Sequence, residues 1–184
     1  APACPHFEEG CGGCAVQHWS PAAQAGWKRD RLRDALSRAG FRDAIVAETV
    51  TTPPGRRRRA DFAARRGAAG VALGFHMAGS AQILDLAGCT VLDPRIVALI
   101  GPLRDMLRRL AALRRDGSVV VNLLDTGPDL MLRTDGPLSP AERVTLAGFA
   151  QQAGIPRIAW ALKDGKPEIA AQTGPVAIAL SGAE

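Results

Sequence analysis

The sequence predicts an α+β fold: an antiparallel sheet with packed helices, entered from an N-terminal cysteine-rich, cluster-binding arm. Three observations lead there. Between residues 45 and 77, strand-like runs are joined by Gly- and Pro-bearing connections too brief to hold a crossover helix. Helix-start signals punctuate the chain at Ser20-Pro21, Asp93-Pro94 and Ser139-Pro140-Ala141-Glu142. A hydrophobic share of 47% with a mean hydropathy of +0.02 gives 184 residues enough apolar surface for one real core and argues against disorder.

Residues 1–18 have neither helical nor strand period and read as the arm. A linking helix is predicted from Pro21 to Ala39, with Ser20 as N-cap, Pro21 in the first helical position and Gly40 as the stop, within a segment spanning 19–42. Its face Gln24, Lys28, Arg31, Ala35, Arg38 is polar and basic, while Leu32, Leu36 and Ala39 form an apolar stripe. The domain proper spans 43–184. Strands are expected over Ile45–Thr52, Arg57–Arg66 and Val71–His76, separated by Pro53-Pro54-Gly55 and by Gly67 to Gly70. A helix follows Asp93-Pro94, carrying Ile96, Leu99, Ile100, Leu103, Leu107 and Leu110 at helical spacing, with Gly101-Pro102 expected to kink or split it. Val119–Asp125 and Leu130–Thr134 pair around Gly127-Pro128. The capping box at Ser139 opens a third helix that Gly154 ends. Arg157–Leu162 and Glu168–Gln172 flank the Asp164-Gly165-Lys166 turn.

No stretch approaches the roughly 20 uninterrupted apolar residues of a membrane span, and no basic-then-apolar leader opens the chain, so the cytoplasm is the expected compartment and no membrane partner is expected. Lys+Arg total 23 against 18 Asp+Glu, for a net charge of +5 and a sequence pI near 9.6. Almost all of that charge is arginine, whose fork binds phosphate and whose plane stacks on bases, so the balance leans toward RNA.

The four cysteines carry the chemistry. Cys4, Cys11 and Cys14 form a Cys-x6-Cys-x2-Cys run, and Cys89 lies far away just before Val91-Leu92-Asp93-Pro94. Four soft thiolates enclose either a tetrahedral zinc or a [4Fe–4S] cube. Gly12 and Gly13 let the backbone turn tightly and bring amides near the sulfurs. The three-plus-one spacing is more typical of iron–sulfur ligation than of zinc, which usually takes two Cys-x2-Cys knuckles, yet spacing leaves both open. A disulfide is disfavoured where no secretion signal is present.

The segment CPHFEEGCGGCAVQHW, with Gln24, Lys28 and Leu32 after it, resembles the cluster arm of bacterial RNA uridine-5 methyltransferases. The likeness continues through PPGRRRRADFA (53–63), LGFH (73–76) and DLAGCTVLDP (85–94). It implies a [4Fe–4S] cluster on Cys4, Cys11, Cys14 and Cys89, and an RNA substrate, rRNA or tRNA. One departure stands out: the family usually has five residues between its first two cysteines, and this chain has six. With all four cysteines assigned, none is left as a nucleophile for uridine C6, and no Gly-x-Gly loop between strand and helix offers a seat for S-adenosylmethionine. The resemblance places those parts in a C-terminal methyltransferase domain outside this chain. That domain would be the intramolecular partner of the linking helix, so Leu32 and Leu36 are expected here to be exposed, repacked or used in dimer contacts, and this portion alone is expected to be inactive. The competing classes are a zinc-stapled RNA-binding module with no enzymatic parent and a small iron–sulfur electron carrier.

Expected RNA contacts are Arg56, Arg57, Arg58 and Arg59, which open a strand after a Pro-Pro-Gly turn, with Lys28, Arg31 and Arg65. Strand alternation would send Arg57 and Arg59 one way and Arg56 and Arg58 the other. Phe62 is a candidate for stacking on an unpaired base, as is Phe75. His6 and His18, beside the cysteines, are expected to make hydrogen bonds around the cluster rather than to ligate it.

Overall fold

The computed structural model describes residues 2–179; the last residues of the predicted domain, 180–184, lie outside the described part. Seven strands form one sheet in the order β3-β2-β1-β4-β5-β6-β7. The strands are β1 (Arg59–Gly67), β2 (Gly70–His76), β3 (Ile83–Asp85), β4 (Asp116–Leu124), β5 (Gly127–Thr134), β6 (Arg157–Leu162) and β7 (Glu168–Gln172). Four helices accompany them among the described residues: α1 (Pro5–Glu8), α2 (Pro21–Arg38), α3 (Pro94–Arg108) and α4 (Pro140–Gln152). None is long and apolar enough to cross a membrane.

The sheet is mixed rather than wholly antiparallel. β5 and β6 run parallel, and α4 is the crossover between them, a connection long enough for the purpose that a reading of hairpins alone passes over. Alternation buries one face. Ala60, Phe62 and Ala64 of β1, Val119, Val121 and Leu123 of β4, and Leu130 and Leu132 of β5 point into a single core with α3 and α4. The capping box at Ser139 is present in full, and Ser20 and Asp93 cap α2 and α3 as expected. At about 1 kcal/mol each, such caps fix helix starts locally.

Helix α3 is not split at Gly101-Pro102. An interior proline costs roughly 3 kcal/mol. Six buried side chains, Ile96, Leu99, Ile100, Leu103, Met106 and Leu107, lie on both sides of it, and each stabilises by about 1.5–3 kcal/mol, so packing wins. Arg66 closes the other end: its Nη2 donates to the carbonyls of Leu107 and Leu110, and its Nε to that of Leu113. Arg66 therefore caps a helix C-terminus.

One expected strand is absent among the described residues, and two short elements are present that were not expected. Residues 45–52 form no strand: Ile45 is 99% and Val50 94% exposed, and the segment's β-branched side chains find no strand edge to pair with. Its tie to α2 is a hydrogen bond from the Thr49 hydroxyl to the Ala25 carbonyl. Conversely, α1, of four residues, and β3, of three, were not foreseen, because each is too short to repeat its own period and so leaves no pattern to read.

Candidate metal centre

The arm is tied to the end of β2 by its backbone. Gly12 N–H donates to the His76 carbonyl at 2.9 Å, Ala78 N–H donates to the Gly10 carbonyl at 2.9 Å, and Cys11 pairs with Met77. Only glycine fits at 12, since a Cβ there would stand 2.7 Å from the His76 oxygen. Cys4 occupies the position before α1, and its N–H donates to Gln17 Oε1 at 3.2 Å. The six residues between Cys4 and Cys11 are taken up by the turn of α1 and by Gly10 in left-handed backbone at φ 87°.

Cys89 arrives from the loop between β3 and α3. That loop is pinned from both ends: Leu86 and Leu92 are buried, and Arg57 pairs with Leu92, its N–H donating to Val91 and its carbonyl accepting from Asp93. Asp93 caps α3 and accepts from both Nε and Nη2 of Arg95. The side-chain and backbone hydrogen bonds from Arg95 hold its carboxyl down at about 2.

Cys4, Cys11, Cys14 and Cys89 thus line one pocket, 75 positions of sequence notwithstanding between the last two. Its walls include Phe75, Leu86 and Leu92, and Arg57 is the one permanently charged side chain among its lining residues. Burial pushes the Cys14 thiol up; Cys89 and Cys11 push the same way, and the Arg57 guanidinium opposes them. A thiol held back from ionising, as Cys14 is, becomes a stable thiolate when a cationic metal group neutralises it. Among the described residues, no set of three or more His, Cys, Asp or Glu is gathered around a point fit for one metal ion. A single zinc would require sulfurs at about 2.3 Å from a common centre, whereas a four-iron cube offers each thiolate its own corner. Four cysteine sulfurs lining one pocket are a donor set that a [4Fe–4S] cube and a zinc ion both accept.

His6 lines the same pocket and shares a hydrogen bond with Glu9 at 2.7 Å. His18 packs between the rings of Phe7 and Trp19. Gln17, which holds the Cys4 amide, was missed; its place three residues after Cys14 was the available signal.

The arginine run does not behave as a strand. β1 starts at Arg59, so residues 56–58 lie in the preceding loop and alternation does not apply to them. Arg58 is bound to Asp125 at 2.8 Å and to the Leu123 carbonyl, and Arg59 to Asn122. Arg65 is bound to Asp116 at 2.6 Å. Arg56 is exposed, with no hydrogen-bond partner among the described residues for its guanidinium. On α2, Lys28 is exposed and Arg31 lies over the Trp27 ring at 6.0 Å. Phe62 is a correction: it is fully buried, stacked on Phe75 with centroids 5.4 Å apart, because its strand position points into the core, and it offers no face to a base.

No protein-family model matches the chain. An uncharacterized RNA methyltransferase of Brucella suis is 38% identical over 157 residues, covering 85% of this chain and 37% of that protein. The 23S rRNA (uracil(1939)-C(5))-methyltransferase of Pectobacterium carotovorum is 37% identical over 157 residues, covering 84% and 35% respectively. The chain is homologous to part of the RNA uracil-C5 methyltransferases. It spans a little over a third of the length of these methyltransferase relatives. A solved tRNA (uracil-54, C5)-methyltransferase of Pyrococcus abyssi, in complex with S-adenosyl-L-homocysteine, shares the fold with a TM-score of 0.56 at 18% identity, over 90% of this chain and 39% of that one.

Proposed function

We propose that this chain is the [4Fe–4S]-binding and RNA-contacting portion of an S-adenosylmethionine-dependent RNA uridine-5 methyltransferase. The observation that carries the reading is the convergence of all four cysteines, three from the arm and one from the loop before α3, on one pocket. When bound, the cluster supplies a covalent clip and a compact charge rather than a step of methyl transfer. Gly12 and Gln17 hold the arm in place, and Phe75, Leu86 and Leu92 exclude water from one side of the thiols.

The methyl donor and the nucleophile belong, in this reading, to the part of the relatives that this chain does not span. Helix α2 supports a docking role toward that part: it buries no side chain fully, and Leu32 is 52% exposed. Hydrogen exchange in α2 that was as fast in the full-length protein as in this chain would exclude α2 as the seat.

For RNA, Arg56, Lys28 and Arg31 are the cations positioned to meet phosphates, with Arg65 contributing only by giving up Asp116. The test is affinity for a uridine-containing rRNA or tRNA stem–loop as a function of salt. Arg56→Ala is expected to reduce the salt slope by about 1 and to weaken all sequences alike. Arg58→Ala should change the slope less, because Asp125 already neutralises that side chain. A slope unchanged in Arg56→Ala would remove Arg56 from the interface.

A further inference from the structure

We propose that Arg57 is the charge partner of the metal cluster, which separates it in role from the other three arginines of its run. The inference rests on the cluster reading above and deepens it. Arg57 is delivered to the pocket by fixed backbone. Its N–H donates to the Val91 carbonyl at 3.2 Å and its own carbonyl accepts from Asp93 N–H at 3.0 Å, so it is the residue that pairs with the loop carrying Cys89. Its side chain lines the pocket together with all four thiols, and no carboxylate lines that pocket. Arg58 and Arg59 are taken up by Asp125 and Asn122, and the guanidinium of Arg57 has no acidic partner among the described residues.

Four thiolates on a [4Fe–4S] core leave a net negative charge, and charge and hydrogen bonding around the sulfurs set both retention and reduction potential. An arginine at the open rim keeps its charge at every accessible pH and offers up to five N–H donors, so it serves this purpose better than lysine. Because Arg57 is itself exposed to solvent, its influence is screened, and an effect toward the lower end of the range for groups surrounding a metal is expected.

The experiment compares anaerobically purified wild type with Arg57→Met, Arg57→Lys and Arg56→Met, the last removing one neighbouring charge from the same run. Four readouts are taken: the rate at which a chelator bleaches the visible iron–sulfur band, the midpoint reduction potential, the salt slope of RNA binding, and the unfolding midpoint. Arg57→Met is expected to bleach roughly tenfold faster, as loss of a surrounding partner does at other metal sites, and to shift the potential negative. Arg57→Lys should fall between it and wild type, Arg56→Met should match wild type in both cluster readouts, and the RNA salt slope of Arg57→Met should stay at the wild-type value. A loaded Arg57→Met protein with wild-type bleaching and potential overturns the assignment. So does an equal loss in Arg57→Met and Arg57→Lys accompanied by a lowered unfolding midpoint, which would make Arg57 a structural residue only. A wild-type protein without iron and sulfide would instead remove the cluster reading itself, and this assignment with it.

Discussion

Cys89→Ser is expected to abolish the assembled cluster and to loosen the arm, which would then be held by its backbone bonds to the end of β2. Serine is a harder and weaker ligand for iron than a thiolate. The other three cysteines all lie on the arm, so the loss of Cys89 removes the single bond that joins arm and domain through the metal. A clip between Cys14 and Cys89 closes a loop of about 75 residues, for which the chain-entropy model gives roughly 4 kcal/mol. Against a total stability of about 5–15 kcal/mol this is a large fraction. Iron and acid-labile sulfide should therefore fall to background, and the urea midpoint should drop toward that of the metal-free protein. A Cys89→Ser protein with undiminished iron and sulfide would show that Cys89 is not a ligand.

Phe62→Ala is expected to cost about 3–5 kcal/mol, the range for emptying an aromatic site in a packed core. Its ring is fully buried and stacked on Phe75, which in turn lines the thiol pocket, so the cavity would open against one wall of that pocket. The RNA affinity of the molecules that remain folded should be unchanged. A variant of wild-type stability with weakened RNA binding would mean instead that Phe62 leaves the core to stack on a base.

Where structure was set by neighbours in sequence, it was legible. Ser20, Asp93 and Ser139 announce their helices because caps act within one turn, and the Asp164-Gly165-Lys166 turn announces the β6–β7 hairpin for the same reason. What depended on distant partners was not legible. Residues 45–52 have strand composition and no edge to pair with, β3 exists only because β2 offers it one, and α4 turns an expected hairpin sheet into one with a parallel pair. The site divides in the same way. That four cysteines would meet follows from their kind and number, but the fates of the arginines do not follow from a run of identical letters. Asp125, Asn122 and the Cys89 loop, each remote in sequence, decide that Arg58 and Arg59 are bound and that Arg57 turns to the thiols. Phe62 was misplaced as a base contact because the parity of its strand face is fixed by the core on the far side of β1.

Whether the four thiols hold a [4Fe–4S] cluster is answered by the iron, acid-labile sulfide and zinc content of the wild-type chain purified without oxygen. About four iron and four sulfide per chain, with no stoichiometric zinc, is the predicted result. One zinc per chain without iron or sulfide would contradict it and leave a zinc-stapled RNA-binding domain in its place.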